Sequence, residues 1–180
     1  TISYTKRSSG GSTSGGSHTG SGSSNTGNKN DQEQNGNNAS NGGFTDVSVN
    51  AYYTDAVKWA VEKKITSGTS ASTFSPDASC TRAQIVTFLW RNAGSPAVSG
   101  SASKFTDVAS DAYYADAVAW AVEKGITSGT SAATFSPDAA CTRAQIVTFL
   151  WRAAGSHAAA AADQQFSDIA SDAYYAAAAA

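Results

Sequence analysis

Between Ser8 and Gly43 the sequence has no proline and hardly any large apolar side chain; Ser, Gly, Asn and Thr fill the stretch. Such a segment buries too little apolar surface to offset its conformational entropy, which excludes a folded domain there. We read residues 6–43 as a flexible tether with a mean span of about 30–35 Å. The sequence opens with neither an initiator Met nor a signal peptide, so it reads as a fragment whose targeting information is expected upstream. Thr1 to Thr5 alternate apolar and polar, as the end of a strand does, so residues 1–5 are expected to close an upstream domain.

Charge is also scarce. Charged residues make up 14% of the chain, the net charge is −2, and Lys and Arg are scattered. Nucleic acid and anionic membranes both require a concentrated basic surface, so neither is an expected partner. No apolar run is long enough to cross a bilayer. His18 lies in the tether and His157 in an Ala-rich connection, and no Cys/His spacing suits zinc. No nucleophile–base arrangement stands out; Asp55 and Glu62 read as ordinary helix-surface charges. The expectation is a chain with no enzyme activity, no metal and no cofactor.

What the sequence does have is a repeat with a period of 61 residues. Phe44-Thr45-Asp46-Val47 returns at Phe105-Thr106-Asp107-Val108 and again at Phe166-Ser167-Asp168-Ile169. Cys80 to Arg91 recurs letter for letter as Cys141 to Arg152. The units run 44–104, 105–165 and 166–180, the third without a second helix. Ala runs at 158–162 and 176–180 have no counterpart in the other units.

Each unit reads as helix–loop–helix. Tyr53, Ala56, Val57, Ala60 and Val61 fall on one apolar face and predict a first helix over Tyr53–Lys63. Gly125 follows the equivalent helix where a left-handed C′ residue is wanted; Lys64 holds that place in the first unit. Thr81 with Gln84 spells a capping box, and Cys80 with Ile85 a hydrophobic staple, at the start of a second helix that Gly94 ends. Ser75-Pro76-Asp77 reads as a turn. Gly68 and Gly129 are expected to serve a turn with positive φ, and Asp46 and Asp107 to cap the turn that follows each of them. Trp90 and Trp151 border the apolar stripe and read as core. Cys80 and Cys141 hold equivalent positions and read as two staples rather than as a disulfide, which would need the two N′ positions within about 7 Å, near a symmetry axis. One unit is too small to be stable alone, so neighbours must pack together.

The order Phe-Thr-Asp-Val, Tyr-Tyr-x-Asp-Ala-Val-x-Trp-Ala, Gly-Ile-Thr-Ser-Gly, Thr-Phe-Ser-Pro-Asp and Thr-Arg-Ala-Gln resembles the S-layer homology repeat, over residues 44–94, 105–155 and, in part, 166–175. The resemblance implies an all-α fold, with helix–loop–helix units packed as a pseudo-threefold prism, partial here. It also implies non-covalent anchoring of an exported protein on the bacterial cell wall through secondary wall polysaccharide, often pyruvylated, bound in grooves between repeats. The family's Arg contact maps onto Arg82 and Arg143. Arg at the first position of a helix opposes the macrodipole, whereas its planar fork suits a carboxylate, which supports a ligand role over pairing with Asp77 or Asp138. The full set of expected polysaccharide contacts is Arg82, Arg143, Gln84, Gln145, Trp59, Trp120, Gly68 and Gly129. Cys in place of the usual Ile before Thr-Arg-Ala-Gln, and Tyr-Tyr in place of Trp-Tyr, depart from the family pattern. Upstream, either a self-associating lattice or adhesin part or a glycan-active enzyme fits such a tether.

Overall fold

The computed structural model describes residues 41–100, 104–157 and 166–179. The expected strand end at 1–5, the tether over 6–40 and the Ala run at 158–162 lie outside the described residues. At 41–43 the tether expectation is corrected: these residues form a turn, and buried Asn41 donates from Nδ2 to the Val47 carbonyl at 3.1 Å.

Among the described residues the architecture is helical, with no strand. The helices are α1 (Thr54–Glu62), α2 (Arg82–Asn92), α3 (Ala115–Glu123), α4 (Arg143–Ala153) and α5 (Ala176–Ala179). α1 and α3 start at Thr54 and Ala115, with Tyr53 and Tyr114 as caps that make no side-chain bond. Both end in the same device. The N–H of Lys64 bonds to the Val61 carbonyl at 2.9 Å and that of Ile65 to Ala60 at 2.8 Å; Gly125 and Ile126 repeat the pattern on Val122 and Ala121. This is the Schellman motif, and its apolar residue after the cap, Ile65 or Ile126, is buried. α2 and α4 open with complete capping boxes: Thr81 and Thr142 accept from the N–H groups of Gln84 and Gln145, and each Gln side chain accepts in return.

Remote ties close each unit. Asp46 takes the N–H groups of Phe74 and Ser75 on its two oxygens at 2.8 and 2.7 Å. Asp107 does the same for Phe135 and Ser136. The expectation that these aspartates cap their own following turn is therefore corrected; each holds a turn 28 residues away. Arg91 and Arg152 reach from the second helix to the carbonyls of Ile65 and Ile126, at 3.1 Å in both units. The Tyr-Tyr pairs at 52–53, 113–114 and 174–175 meet edge to face, with centroids 5.0 to 5.1 Å apart, so the third unit begins with the same local geometry as the others.

The larger core does not respect the unit boundary. Ala83 and Val86 of α2 are buried in one cluster with Phe105, Val118, Trp120, Ile126, Phe135 and Phe149 of the second unit. Phe44, Val47 and Val57 form a smaller cluster in the first unit. Of the first helix's expected apolar face only Val57 is fully buried, because that helix has core on one side alone.

Candidate functional site

The junction between units one and two is built from backbone. The first two N–H groups of α2, on Arg82 and Ala83, donate to the carbonyls of Ala139 (2.9 Å) and Pro137 (3.0 Å) in the second unit's Ser-Pro-Asp turn. The N–H of Cys141 donates to the Cys80 carbonyl at 3.0 Å, and Thr81 pairs with Ala140 as an isolated antiparallel bridge. With Thr81 capping Gln84, the donors at this helix start are spoken for.

Arg82 itself is 4% exposed. Its Nε donates to the Phe135 carbonyl at 2.9 Å, and the guanidinium lies 5.0 and 5.3 Å from the ring centroids of Phe135 and Phe149. Burial pulls its pKa down from the ordinary arginine value, with Cys141 and Tyr174 working the other way. The expected wall-polymer contact is thus a clamp between repeats. Trp120, 6% exposed, is likewise core. Burial removes both from the set of residues a polymer can reach, and the physical reason is shared: both lie where the two units pack together.

The equivalent residues on the other unit are open. Arg143 is exposed and lines a cavity of about 600 Å³ with Ala144, Val147, Phe166, Asp168 and Tyr175. Trp59 is 49% exposed. Trp90 and Trp151, read as core, are half-buried, with indole N–H groups on the carbonyls of Pro96 and His157.

Gly68 and Gln84 meet in a groove of about 400 Å³, which the first unit's Thr66–Thr69 loop, its Ser75-Pro76 turn and α2 share with Tyr113 of the second unit. Gly68 has φ +81°, and a Cβ there would collide with the ring of Phe44 and the Thr73 carbonyl; Gly129 has φ +98° and the same constraint from Phe105. The positive-φ turn is as expected from the sequence. Gln145 serves its capping box. Arg91 also lines the groove. Burial pushes the Tyr113 hydroxyl above its ordinary pKa, Arg91 pulls it down, and Asp138 raises it again, so charges from both units converge on this ring. Neither Arg91 nor Tyr113 is in the expected set of polysaccharide contacts. Arg91 reads as a routine basic residue in a last helical turn, and no helical periodicity assigns Tyr113 to a neighbouring unit's groove.

The family model of the S-layer homology domain matches residues 43–86 and 104–147. The first two units are S-layer homology domains. Over 102 residues the chain is 33% identical to a surface-layer 125 kDa protein of Lysinibacillus sphaericus, covering 57% of this chain and 8% of that protein. Over 110 residues it is 36% identical to an endoglucanase of Bacillus sp. (strain KSM-635), covering 61% of this chain and 11% of the relative. The chain thus spans about a tenth of either relative. S-layer homology domains anchor surface proteins to the cell wall, and this chain belongs at the cell surface. Among the described residues no helix is long and apolar enough to cross a membrane.

Proposed function

We propose that these S-layer homology domains hold their protein on the wall by binding an acidic secondary wall polysaccharide, with the groove between units one and two as one seat and Arg143 as part of a second. The observation that carries this reading is the groove itself: it takes residues from both units, it is lined by hydroxyls, the Gly68 turn, the Gln84 side chain and the Tyr113 ring, and Arg91 supplies a cation. A ring suited to sugar faces and a guanidinium suited to a carboxylate, such as a pyruvate ketal, are the chemistry an acidic glycan needs. Trp59 offers a further exposed aromatic face.

A surface-layer protein and an endoglucanase share the repeat region, so the anchoring reading is independent of the cargo, whether lattice or adhesin component or glycan-active enzyme. The test is co-sedimentation of the chain with purified cell-wall sacculi, before and after acid extraction of the secondary polymer. Wild type should pellet only with unextracted sacculi, and Tyr113→Ala and Arg143→Ala should each weaken binding several-fold while leaving helical circular dichroism intact. Equal pelleting with extracted sacculi would refute polymer binding.

A further inference from the structure

The Thr81–Ala140 bridge has a consequence for its flanking residues, Cys80 and Cys141, the two cysteines of the chain. In an antiparallel pairing the partner of Cys80 is Cys141, and the N–H of Cys141 indeed donates to the Cys80 carbonyl at 3.0 Å. A pair that exchanges both such bonds has Cα atoms about 5.5 Å apart, inside the range of about 4.4–6.8 Å that disulfides span, and Cys80 and Cys141 make one of the two. Their Cβ atoms need an inward shift of roughly 1 Å, and both residues precede helices rather than sit within them. Both are free thiols, half-buried rather than sealed, and Cys80 lines the inter-unit groove. Burial pushes each thiol above its ordinary pKa; at Cys141 the neighbouring Arg82 acts downward and Cys80 upward. Placement at the cell surface removes the reducing pool that keeps cytosolic thiols apart.

We propose that Cys80 and Cys141 form a disulfide that covalently joins the two S-layer homology domains. With a small organic disulfide as oxidant, one protein thiolate attacks a reagent sulfur, breaks its S–S bond and releases one reagent thiolate. The second protein thiolate then attacks the protein sulfur of that mixed disulfide, forms the Sγ–Sγ bond and releases the second reagent thiolate. The protein loses two electrons and two protons, and the reagent is reduced to two thiols. The bond closes a loop across the junction that Arg82 already clamps, so it fixes an arrangement already present.

The experiment incubates the full chain with glutathione disulfide at mildly alkaline pH, then counts thiols under denaturing conditions and maps peptides without reduction. The expected result is a monomer with both thiols lost and one linked pair of peptides holding Cys80 and Cys141. Its thermal midpoint should exceed that of the reduced chain by on the order of 10 °C, and neither Cys141→Ser nor Cys80→Ala should show that gain under the same oxidant. Intermolecular dimers, glutathione adducts on separate cysteines, or two persisting thiols in a helical chain would each overturn the proposal.

Discussion

Arg82 and Arg143 stand at the same place in the same twelve-residue stretch, and their surroundings are opposite: one is buried between two rings and a carbonyl, the other exposed. Truncating a buried, hydrogen-bonded guanidinium leaves a cavity and an unpaired carbonyl, so Arg82→Ala should cost about 2–4 kcal/mol. Lysine has no Nε–H to place on Phe135, so Arg82→Lys should recover little of it. Arg143→Ala should stay within about 0.5 kcal/mol. Urea unfolding of the three variants checks the ranking, and equal losses at both arginines would contradict the clamp. The aspartates give a second residue-scale test. Burial acts to raise the Asp107 carboxyl, but the N–H groups of Phe135 and Ser136 outweigh it and hold the pKa below the ordinary 3.8; Asp46 is lowered chiefly by the Phe74 N–H. A pKa depressed in the folded state contributes stability that is present above the ordinary value and is lost as pH falls through the folded one. The urea midpoint should therefore drop as pH is taken below about 4, and Asp107→Asn should lower the midpoint at neutral pH while flattening that acid dependence.

At the level of elements, the helix ends were the most legible part of the sequence. Thr81 with Gln84, Gly94, Gly125 and the Ser-Pro-Asp turn all use local chemistry that needs no knowledge of neighbours, and the structure places each as read. Lys64 sits at φ +58°, where a Cβ is strained and glycine is not, as Gly125 at φ +68° illustrates. Lys64→Gly should stabilise the chain by about 1 kcal/mol. A Cβ at Gly125 meets nothing within 4 Å, whereas at Gly129 it would come within 2.5 Å of Phe105. Gly125→Ala should cost about 1 kcal/mol and Gly129→Ala distinctly more, a ranking that denaturant midpoints decide.

Across the whole molecule, legibility fell off where residues from different units meet. Periodicity assigns Trp120 and Trp59 identical roles, and Thr-Arg-Ala-Gln assigns Arg82 and Arg143 identical roles. Which copy is buried depends on having a neighbouring unit on the right side, and no local pattern records that. The fate of Asp46 and Asp107 was hidden for a related reason, since their partners lie 28 residues on. Because Ala83 and Val86 complete the second unit's core, the two units should unfold together. Circular dichroism and tryptophan fluorescence should report one shared transition, and a fragment starting at Lys104 should remain unfolded in buffer.

The junction also has a direction. One flank of a unit offers an arginine plug and the opposite flank a Phe-Ser-Pro-Asp socket. Among the described residues Arg143 is a plug with no socket and the Phe74 turn a socket with no plug. In-frame duplication of a 61-residue stretch therefore yields a part that already fits its parent at both ends. Such an array can lengthen or shorten by unequal crossing-over without any new interface having to be invented.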